Sequence, residues 1–588
     1  MNASTETLHA PVPFARLRIP QLADWTLEAW AYVLLGCYSA GTRLIALGAA
    51  PLAGSAARDA MWAWEQTRGL PVPPTAIPNS ALLFSLQMML FWVGGHATET
   101  LARLAPALAG IALVFMPLLL RRELGAVGAL AASTLLALSP SLTAIARSAD
   151  GIGLALPLAA LTAISIWRWQ SAQPAPGLLV AALATGAGLA SAPEYIASIV
   201  ALVLASLLIA PQRLRQWDPA LHSARLWLAV GLALAASSTA FLQYPAGLAA
   251  AGDGWGAWLA GWLMPQGTTS YFAPLITAVL YDPLAVGLGI SGAVIAARRI
   301  PAARYLLALS LVVAAMTLVD PQRRATDSGG FVIVISLCGA FTISWFFAAD
   351  WSRDRPRICA LHAGCLFVVC SILYLVLGGI ATGSAGAIGQ AGWGLLSVIG
   401  VVVAILWLIT ALVGSWWDWQ IARRGALAGF VLTALVWTVA SGSALITTRA
   451  GSAAELLSGE SISPHIRLLE ETARQVSLRA RGSSGDAEIV VLGAPSGALA
   501  WALRDFVNVR YTNSLSAAIT APIVITPGEL MDPLLGSQYL GQRFNYELTR
   551  SPLPADLPGR ISYLLFRKIP VTATQLVLWA RADAQLVH

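Results

Sequence analysis

Long apolar segments recur along most of this chain, between Leu27 and Ile446. A helix needs about 20 apolar residues to cross a bilayer, and slightly fewer at thin points. About thirteen segments are candidates: 27–47, 103–120, 126–144, 151–167, 177–191, 195–210, 225–242, 282–297, 303–319, 330–348, 358–379, 394–416 and 425–446. Charged residues make up only 11% of the chain, against about 25% in soluble domains. The sequence therefore predicts a polytopic α-helical membrane protein.

The loops between these segments fall into two alternating sets that differ in arginine content. The positive-inside bias places the arginine-rich set in the cytoplasm. Its members are Arg16, Arg18, Arg121, Arg122, Arg168, Arg213, Arg215, Arg225, Arg298, Arg299, Arg304, Arg353, Arg355, Arg357, Arg423 and Arg424. With an odd number of spans, segment 1–26 is predicted to be cytoplasmic and the C-terminus extracytoplasmic, in a multi-pass protein of the plasma membrane. The net charge of +7 lies mostly in these loops, so it indicates topology and no nucleic-acid partner.

Three of the predicted outer loops have distinctive sequence features. The long first outer loop, 49–102, contains an amphipathic stretch at 58–68 and an apolar stretch at 80–93 that is too short for a comfortable span. We expect the latter to lie in or dip into the membrane interface. The tryptophan density of 243–281 is typical of a helix on the membrane surface. The third loop, 320–328, is short and charged.

The composition changes after Ile446, where the chain becomes polar. Short buried-strand patterns alternate with a helical pattern at 498–506, which indicates a small α/β domain. The predicted strands are 488–492, 509–511, 523–526 and 575–580. The chain is thus predicted to consist of a transmembrane domain, 27–446, followed by an extracytoplasmic α/β domain, 451–588.

Arginines on the predicted outer side violate the positive-inside bias, and an anionic substrate is the simplest reason to keep them. Arg323 and Arg324 are the best phosphate-binding candidates because a guanidinium fork matches phosphate oxygens. The alternative is neutralisation by the flanking acidic residues of the same loop, Asp320 and Asp327. Arg43, near the outer end of the first span, either faces the substrate or extends to the interface.

Two outer carboxylates are candidate functional groups. Asp59 lies on the amphipathic stretch beside Arg58, where it is either a base or metal ligand, or a solvated surface residue. Arg147 and Asp150 are three residues apart and so are predicted on one helix face, either as a local ion pair or as part of a phosphate site.

Two stretches of sequence resemble known membrane proteins. TLARLAPALAGIALVFMPLLLRRELGAVGALAASTLLALSPSLTAIARSADG, from Thr100 to Gly151, looks like the second and third spans of dolichyl-phosphate-mannose-type (PMT-like) transferases of the GT-C superfamily. ALAWALRDFVNVRYTNSL and the closing LVLWARAD look like the outer domain of the flippase activity-associated protein family, which is itself GT-C-like. The order of the pieces also resembles GT-C enzymes, with a cytoplasmic N-terminus and a long first outer loop.

The resemblance implies transfer of a sugar from a polyprenyl-phosphate carrier to an acceptor at the outer membrane face. It also implies an acidic pair shortly after Pro51-Leu52, acting as base or metal ligand. Here Ser55 and Ala56 occupy those positions, and neither can take a proton near neutral pH or bind a divalent cation strongly. Asp59, one helical turn later, is the candidate replacement.

We therefore expect Asp59 and Asp150 to be catalytic and Arg43, Arg147, Arg323 and Arg324 to bind substrate. A divalent metal, Mg²⁺ or Mn²⁺, held by Asp59 and Asp150 stays open. The implied partners are membrane lipid, a polyprenyl-phosphate sugar and a membrane protein. Since the acidic pair is not matched, a non-catalytic GT-C-like scaffold or accessory subunit is the alternative. A transporter is a third class, although the two similar halves typical of transporters are not visible.

Overall fold

A computed structural model of the chain describes residues 26–70, 72, 77–172, 175–209, 211–212, 222–264, 270–297, 300–348, 355–382, 392–530, 533–554 and 556–582. Most of the predicted cytoplasmic segment 1–26 lies outside the described residues. The same holds for several arginines of the predicted cytoplasmic set, namely Arg16, Arg18, Arg213, Arg215, Arg298, Arg299 and Arg353.

The first 446 residues are helical wherever regular structure is described. In chain order these helices are α1 (Leu27–Leu44), α2 (Gly54–Thr67), α3 (Ala81–Gly94), α4 (Glu99–Phe115), α5 (Arg121–Leu138), α6 (Pro140–Arg147), α7 (Ile152–Ala172), α8 (Ala175–Leu189), α9 (Pro193–Ile209), α10 (Ala224–Ser238), α11 (Gly247–Leu263), α12 (Ala273–Tyr281), α13 (Pro283–Ala296), α14 (Pro301–Val319), α15 (Ser328–Phe347), α16 (Arg355–Ala381), α17 (Gly392–Trp416) and α18 (Trp419–Ile446). Hydroxyl caps fix several starts: Thr26, Ser80 and Thr98 each accept a hydrogen bond from the backbone N–H three residues on, at 3.1–3.3 Å.

Each of the thirteen predicted apolar segments coincides with a helix. By length and composition, seven stretches of the described chain could cross a membrane, or eight if α12 and α13, which meet at a bend of 100°, form one span. The count is lower than thirteen because α4 and α5 form one continuous stretch, because α8, α9 and α10 are short apolar helices, and because α1 is not among the stretches that qualify. The predicted fold class, a polytopic helical membrane protein with a C-terminal sheet region, is confirmed.

The C-terminal region forms one six-stranded mixed sheet in the order β1-β5-β6-β4-β2-β3. Its strands are β1 (Ser461–Ile462), β2 (Ile489–Leu492), β3 (Val509–Thr512), β4 (Ile523–Pro527), β5 (Tyr539–Arg550) and β6 (Val571–Arg581). Its helices are α19 (His465–Arg481), α20 (Gly497–Ala502) and α21 (Leu557–Phe566). The central strands β2 and β4 pair in parallel, and β5 and β6 add an antiparallel pair. Strands β2 and β4 are continuous buried runs, as parallel strands covered on both faces are.

Helices α2 and α3 of the first outer loop pack against the C-terminal region. The ring of Phe91 lies 6.3 Å from that of Trp64 and 5.9 Å from that of Trp501, so one aromatic cluster joins α3, α2 and α20. The predicted interface helix, α3, is mostly buried rather than spread on a surface. The core therefore fixes α2, which carries Asp59, between the apolar helices and the sheet.

Candidate functional site

Asp59 lies in the second turn of α2, directly after the Pro51-Leu52 turn. One carboxylate oxygen, Oδ1, accepts from the Arg58 guanidinium, 3.2 Å from Nη2. The other, Oδ2, accepts from the backbone N–H of Asn79 at 2.8 Å. Only 13% of the Asp59 side chain is exposed. The carboxylate is therefore held in a fixed position with little contact to bulk solvent.

Burial raises the pKa of Asp59 to about 6. The Asn79 N–H and the Arg58 guanidinium act in the opposite direction, because both stabilise the charged form. The negative charge of Asp150 adds to the upward shift, so the two carboxylates lie within electrostatic reach of each other. A carboxylate with a pKa just below neutral suits a general base, since it is ionised at neutral pH and still basic.

Asp150 is placed in the turn between α6 and α7, where it meets Arg324. Arg324 Nη1 lies 3.7 Å from Asp150 Oδ2, and its Nε lies 3.5 Å from Asp327 Oδ1. Its Nη2 also contacts the carboxylate of Glu194, at the start of α9. Asp150 and Arg324, which are far apart in sequence, thus converge as expected. Three carboxylates surround one guanidinium, so the cluster carries net negative charge.

Arg323 occupies a different environment from its neighbour. Its guanidinium carbon lies 3.7 Å from the ring centroid of Tyr271, a cation–π contact, and the residue is 8% exposed. Its backbone has a left-handed φ of 48°, which turns successive side chains of this loop in different directions. Arg323 therefore contacts an aromatic ring on the segment before α12, while Arg324 contacts the acidic cluster.

Arg147 and Arg43 bind backbone carbonyls. Arg147 donates to the carbonyl oxygens of Thr42, Ile45 and Ala46 at 2.8–3.0 Å, at the end of α1. Arg43 is 1% exposed and donates to the Leu136 carbonyl at 3.2 Å. Both guanidinium groups hold the end of α1 in place, an arrangement that also positions the turn leading into α2.

The prediction that Arg147 and Asp150 share a helix face is wrong. Helix α6 ends at Arg147, and Ser148 already has an extended backbone conformation with ψ of 150°. The chain leaves the helix before Asp150, so the three-residue spacing no longer aligns the two side chains. Asp150 pairs with Arg324 instead.

Three further carboxylates lie at the site, and of these only Asp327 was expected to neutralise an arginine of its loop. Glu194 was not among the predicted site residues, but only 15% of its side chain is exposed and it pairs with Arg324. Asp327 is 7% exposed and accepts from the Arg324 backbone N–H at 2.7 Å. Glu460, which follows the membrane region, contacts Gly54 at the start of α2. Its carboxylate thus lies beside Gly54, which precedes in sequence the two positions where the resemblance implies an acidic pair.

The residues near Asp59 do not fit a divalent metal. Among the described residues, no group of three or more His, Cys, Asp or Glu side chains is arranged to hold a metal ion. Asp150, Glu194 and Asp327 do converge, but the Arg324 guanidinium lies where a cation bound by them would have to be. We therefore derive no chemical step through a metal.

Comparison with known proteins gives structural matches alone. No protein-family model and no curated protein sequence matches the chain. It is similar to ArnT from Cupriavidus metallidurans bound to undecaprenyl phosphate, with 14% identity, a TM-score of 0.56, and coverage of 95% of this chain and 99% of that one. The apo state of that ArnT gives 12% identity, a TM-score of 0.50, and coverage of 86% and 94%.

An oligosaccharyltransferase from Archaeoglobus fulgidus in the apo form matches less well. Its TM-score is 0.43 at 12% identity, covering 83% of this chain and 65% of that one. The similarity to ArnT, a GT-C glycosyltransferase, extends over nearly the whole chain. The chain therefore has the same fold as ArnT, and the predicted resemblance to GT-C proteins is confirmed for the fold.

Proposed function

We propose that this protein transfers a sugar from a polyprenyl-phosphate-linked donor to an acceptor at the outer membrane face, with Asp59 as the general base. The observation that carries the proposal is the environment of Asp59. Its carboxylate is buried, fixed by Arg58 and Asn79, raised in pKa to about 6, and near Asp150. Nothing in a purely structural surface helix requires such a group.

The reaction needs one proton transfer and one displacement at the sugar. The acceptor hydroxyl or amine gives its proton to the Asp59 carboxylate as its oxygen or nitrogen bonds to the anomeric carbon. The bond between that carbon and the phosphate oxygen breaks, and its electron pair leaves with the polyprenyl phosphate anion. A positioned base of matched pKa typically contributes about 10²–10⁴-fold to such a step.

The departing phosphate requires cationic groups, and Arg324 and Arg323 are the candidates. Arg324 is 38% exposed, so a phosphate can reach it, and its carboxylate partners keep the guanidinium oriented. Arg323 is fixed by the Tyr271 ring. We assign Arg43 and Arg147 a positioning role, because Arg43 already binds the Leu136 carbonyl of α5 and Arg147 already binds carbonyls at the end of α1.

The fold supports a lipid-linked donor. The ArnT structure that this chain resembles is described as bound to undecaprenyl phosphate, and it covers nearly the full length of both chains. That ligand has the chemical form of the carrier that we propose here.

A non-catalytic scaffold is the second candidate, and a specific observation favours it. Ser55 and Ala56 replace the expected acidic pair, and neither side chain can act as a base near neutral pH or bind a divalent cation strongly. A protein that binds a lipid-linked sugar or a membrane partner without chemistry could keep the fold and lose the base.

Turnover by the purified full-length protein distinguishes the two. We expect wild type to release polyprenyl phosphate from one of a broad set of polyprenyl-phosphate sugars, and Asp59→Asn to lose at least about 10²-fold of that activity. Asp486→Asn, an exposed aspartate of the C-terminal region, is the matched control and should keep it.

Lipid binding completes the comparison. If wild type binds polyprenyl phosphate but turns over no donor, and Arg323→Ala with Arg324→Ala weakens that binding, the scaffold is correct. If Asp59→Asn turns over at the wild-type rate, Asp59 is not the base.

A further inference from the structure

We infer that the protein carries a second, separate lipid site, for an anionic glycerophospholipid, at the end of the helices far from Asp59 and Arg324. The part of the site that would take the lipid headgroup is a cavity of about 540 Å³ between α13, α15 and α18. Helix α13 begins next to Asp282 and α15 begins next to Asp327, so Ser291 and Trp345 in this cavity lie toward their opposite ends. The arginine asymmetry predicts this end to be cytoplasmic.

Two arginines make the headgroup end cationic. Arg423 lines the cavity, is exposed, and forms no ion pair or hydrogen bond with any residue in the described part of the chain. The Arg424 guanidinium lies over the ring of Trp345, 5.0 Å from its centroid, and Trp345 also lines the cavity. Among the described residues that line the cavity there is no carboxylate, so the charge of this lining favours an anion.

Ser291 provides a hydrogen-bond acceptor in the same cavity as Arg423. Its hydroxyl donates to the Gly287 carbonyl at 2.7 Å, so its oxygen can only accept from a ligand. A guanidinium beside an acceptor oxygen matches a headgroup that combines a phosphate with its own hydroxyl donors, as in phosphatidylglycerol.

A large apolar groove continues from this cavity. The groove, of about 1060 Å³, runs between the α12–α13 bend and helices α16, α17 and α18. Phe430 lines both spaces, so the groove begins where the cationic cavity ends. The hydroxyls of Thr410 and Thr433, which line the groove, donate to the carbonyls of Leu406 and Gly429 of their own helices. The groove therefore offers a hydrocarbon surface, suited to an acyl chain.

The length and openness of the groove also fit a lipid of the surrounding membrane. Arg423 and Trp437 are both on α18, 14 residues apart, which corresponds to about 21 Å along a helix at about 1.5 Å per residue. The apolar window of α17 is entirely unburied, and Trp407 on its groove side is 69% exposed. An acyl chain can thus enter sideways from the bilayer. The headgroup of this lipid would bind at Arg423, at the opposite end of the helices from Arg324, which distinguishes it from the polyprenyl carrier. The inference does not rest on the proposed reaction.

Photolabelling of the delipidated full-length protein tests the site. The probe is phosphatidylglycerol with a photoactivatable group in one acyl chain, and labelled peptides are mapped by mass spectrometry. We expect labelling on α17 and α18, competition by unlabelled phosphatidylglycerol, and weak competition by phosphatidylcholine. Arg423→Gln should lower labelling about fivefold, and Arg423→Lys should retain it, because one arginine near anionic lipid contributes about 1 kcal/mol.

Two further variants keep the test decisive. Arg304→Gln removes an equally exposed arginine on the same predicted side, at the start of α14, and should leave labelling unchanged. Thr433→Trp fills the groove and should lower labelling without a change of charge. Equal labelling by a phosphatidylcholine probe, or full labelling of both Arg423→Gln and Thr433→Trp, would overturn the inference. Displacement by polyprenyl phosphate at equimolar concentration would assign the groove to the carrier and overturn it as well.

Discussion

Opposing effects set the pKa of the Asp59 carboxylate: burial raises it, and two hydrogen-bond donors lower it. Burial disfavours the charged form and dominates, so the pKa lies near 6 instead of near 4. Arg58 and the Asn79 N–H limit the shift, and Asp150 adds to it. Each of these neighbours therefore influences the pH at which Asp59 becomes a base.

This balance predicts the acidic limb of the pH profile. A base must be deprotonated, so kcat/KM for sugar transfer should fall about tenfold per pH unit below about 6 and level off above it. Arg58→Gln removes a cation that favours the carboxylate and should move the limb to higher pH. Asp150→Asn removes a like charge and should move it to lower pH.

Steady-state kinetics between roughly pH 4.5 and pH 8 checks these directions, because this range brackets the shifted pKa of Asp59. Asp486→Asn, remote from Asp59, is the control and should keep the wild-type limb. A limb that stays at the same pH in both Arg58→Gln and Asp150→Asn would mean that another group titrates.

The sequence predicted which residues lie at the site better than it predicted which side chains they contact. Asp150 and Arg324 were both expected at the site, and they do meet. Glu194 was not expected there, because the turn between α8 and α9 gives no signal that it faces Arg324, 130 positions later. Such pairings depend on how distant elements pack, which a local pattern does not encode.

Helix α2 depends on a close contact at its first residue. Gly54 has a left-handed φ of 47°, and the Glu460 carboxylate occupies the space that a side chain there would need. Gly69, just after the same helix, also has a left-handed φ, of 69°, but has open space around it. Comparing substitutions at the two glycines therefore distinguishes the stability lost through backbone strain from the stability lost through contact with Glu460.

Gly54→Ala should therefore destabilise the protein more than Gly69→Ala. A positive φ alone costs an alanine about 1–2 kcal/mol, and only Gly54→Ala also displaces the Glu460 carboxylate, the end of a flexible side chain, from its place against α2. The double variant Gly54→Ala with Glu460→Ala should recover the extra loss, a coupling that thermal unfolding of the purified protein measures. Equal losses in the two single variants, or no recovery in the double variant, would contradict the packing of Glu460 against α2.

Elements with a strong hydrophobic period were predicted better than those without. The apolar segments all became helices, and β2 and β4 follow short buried runs near the predicted positions. The long strand β5 was not predicted, because its residues YLGQRFNYELTR are mostly polar and only Phe544 and Tyr546 are buried. Pairing with β1 and β6 on its two sides defines that strand, and the pairing is non-local.

At the scale of the molecule, a buried polar network ties the C-terminal region to the apolar helices. Glu455, 1% exposed, accepts from the Tyr281 hydroxyl and pairs with Arg449 at 3.0 Å. Arg567, at the end of α21, donates to the Tyr281 hydroxyl at 3.2 Å. Removing one partner of such a network leaves a buried charge unpaired, at a cost of about 3–5 kcal/mol. The sheet is thus held directly over the α12–α13 bend.

The placement of the sheet makes membrane orientation a property of the whole molecule. Since α2, Asp59 and the sheet pack together, they must share one side of the membrane, and the arginine asymmetry predicts that side to be extracytoplasmic. Ser484, exposed after α19, should lie outside, and Gln420, exposed at the start of α18, should lie inside. The two positions are a matched pair for cysteine labelling once the five native cysteines are replaced.

An impermeant maleimide applied to intact cells should therefore label Ser484→Cys, and should label Gln420→Cys only after permeabilisation. Equal labelling of both variants in permeabilised cells controls for reactivity. The opposite pattern would place Asp59 and Arg324 in the cytoplasm and remove transfer at the outer face. It would also move Arg423 to the outer leaflet, because Arg324 lies just before the start of α15, whereas Arg424, next to Arg423, contacts Trp345 near the other end of α15.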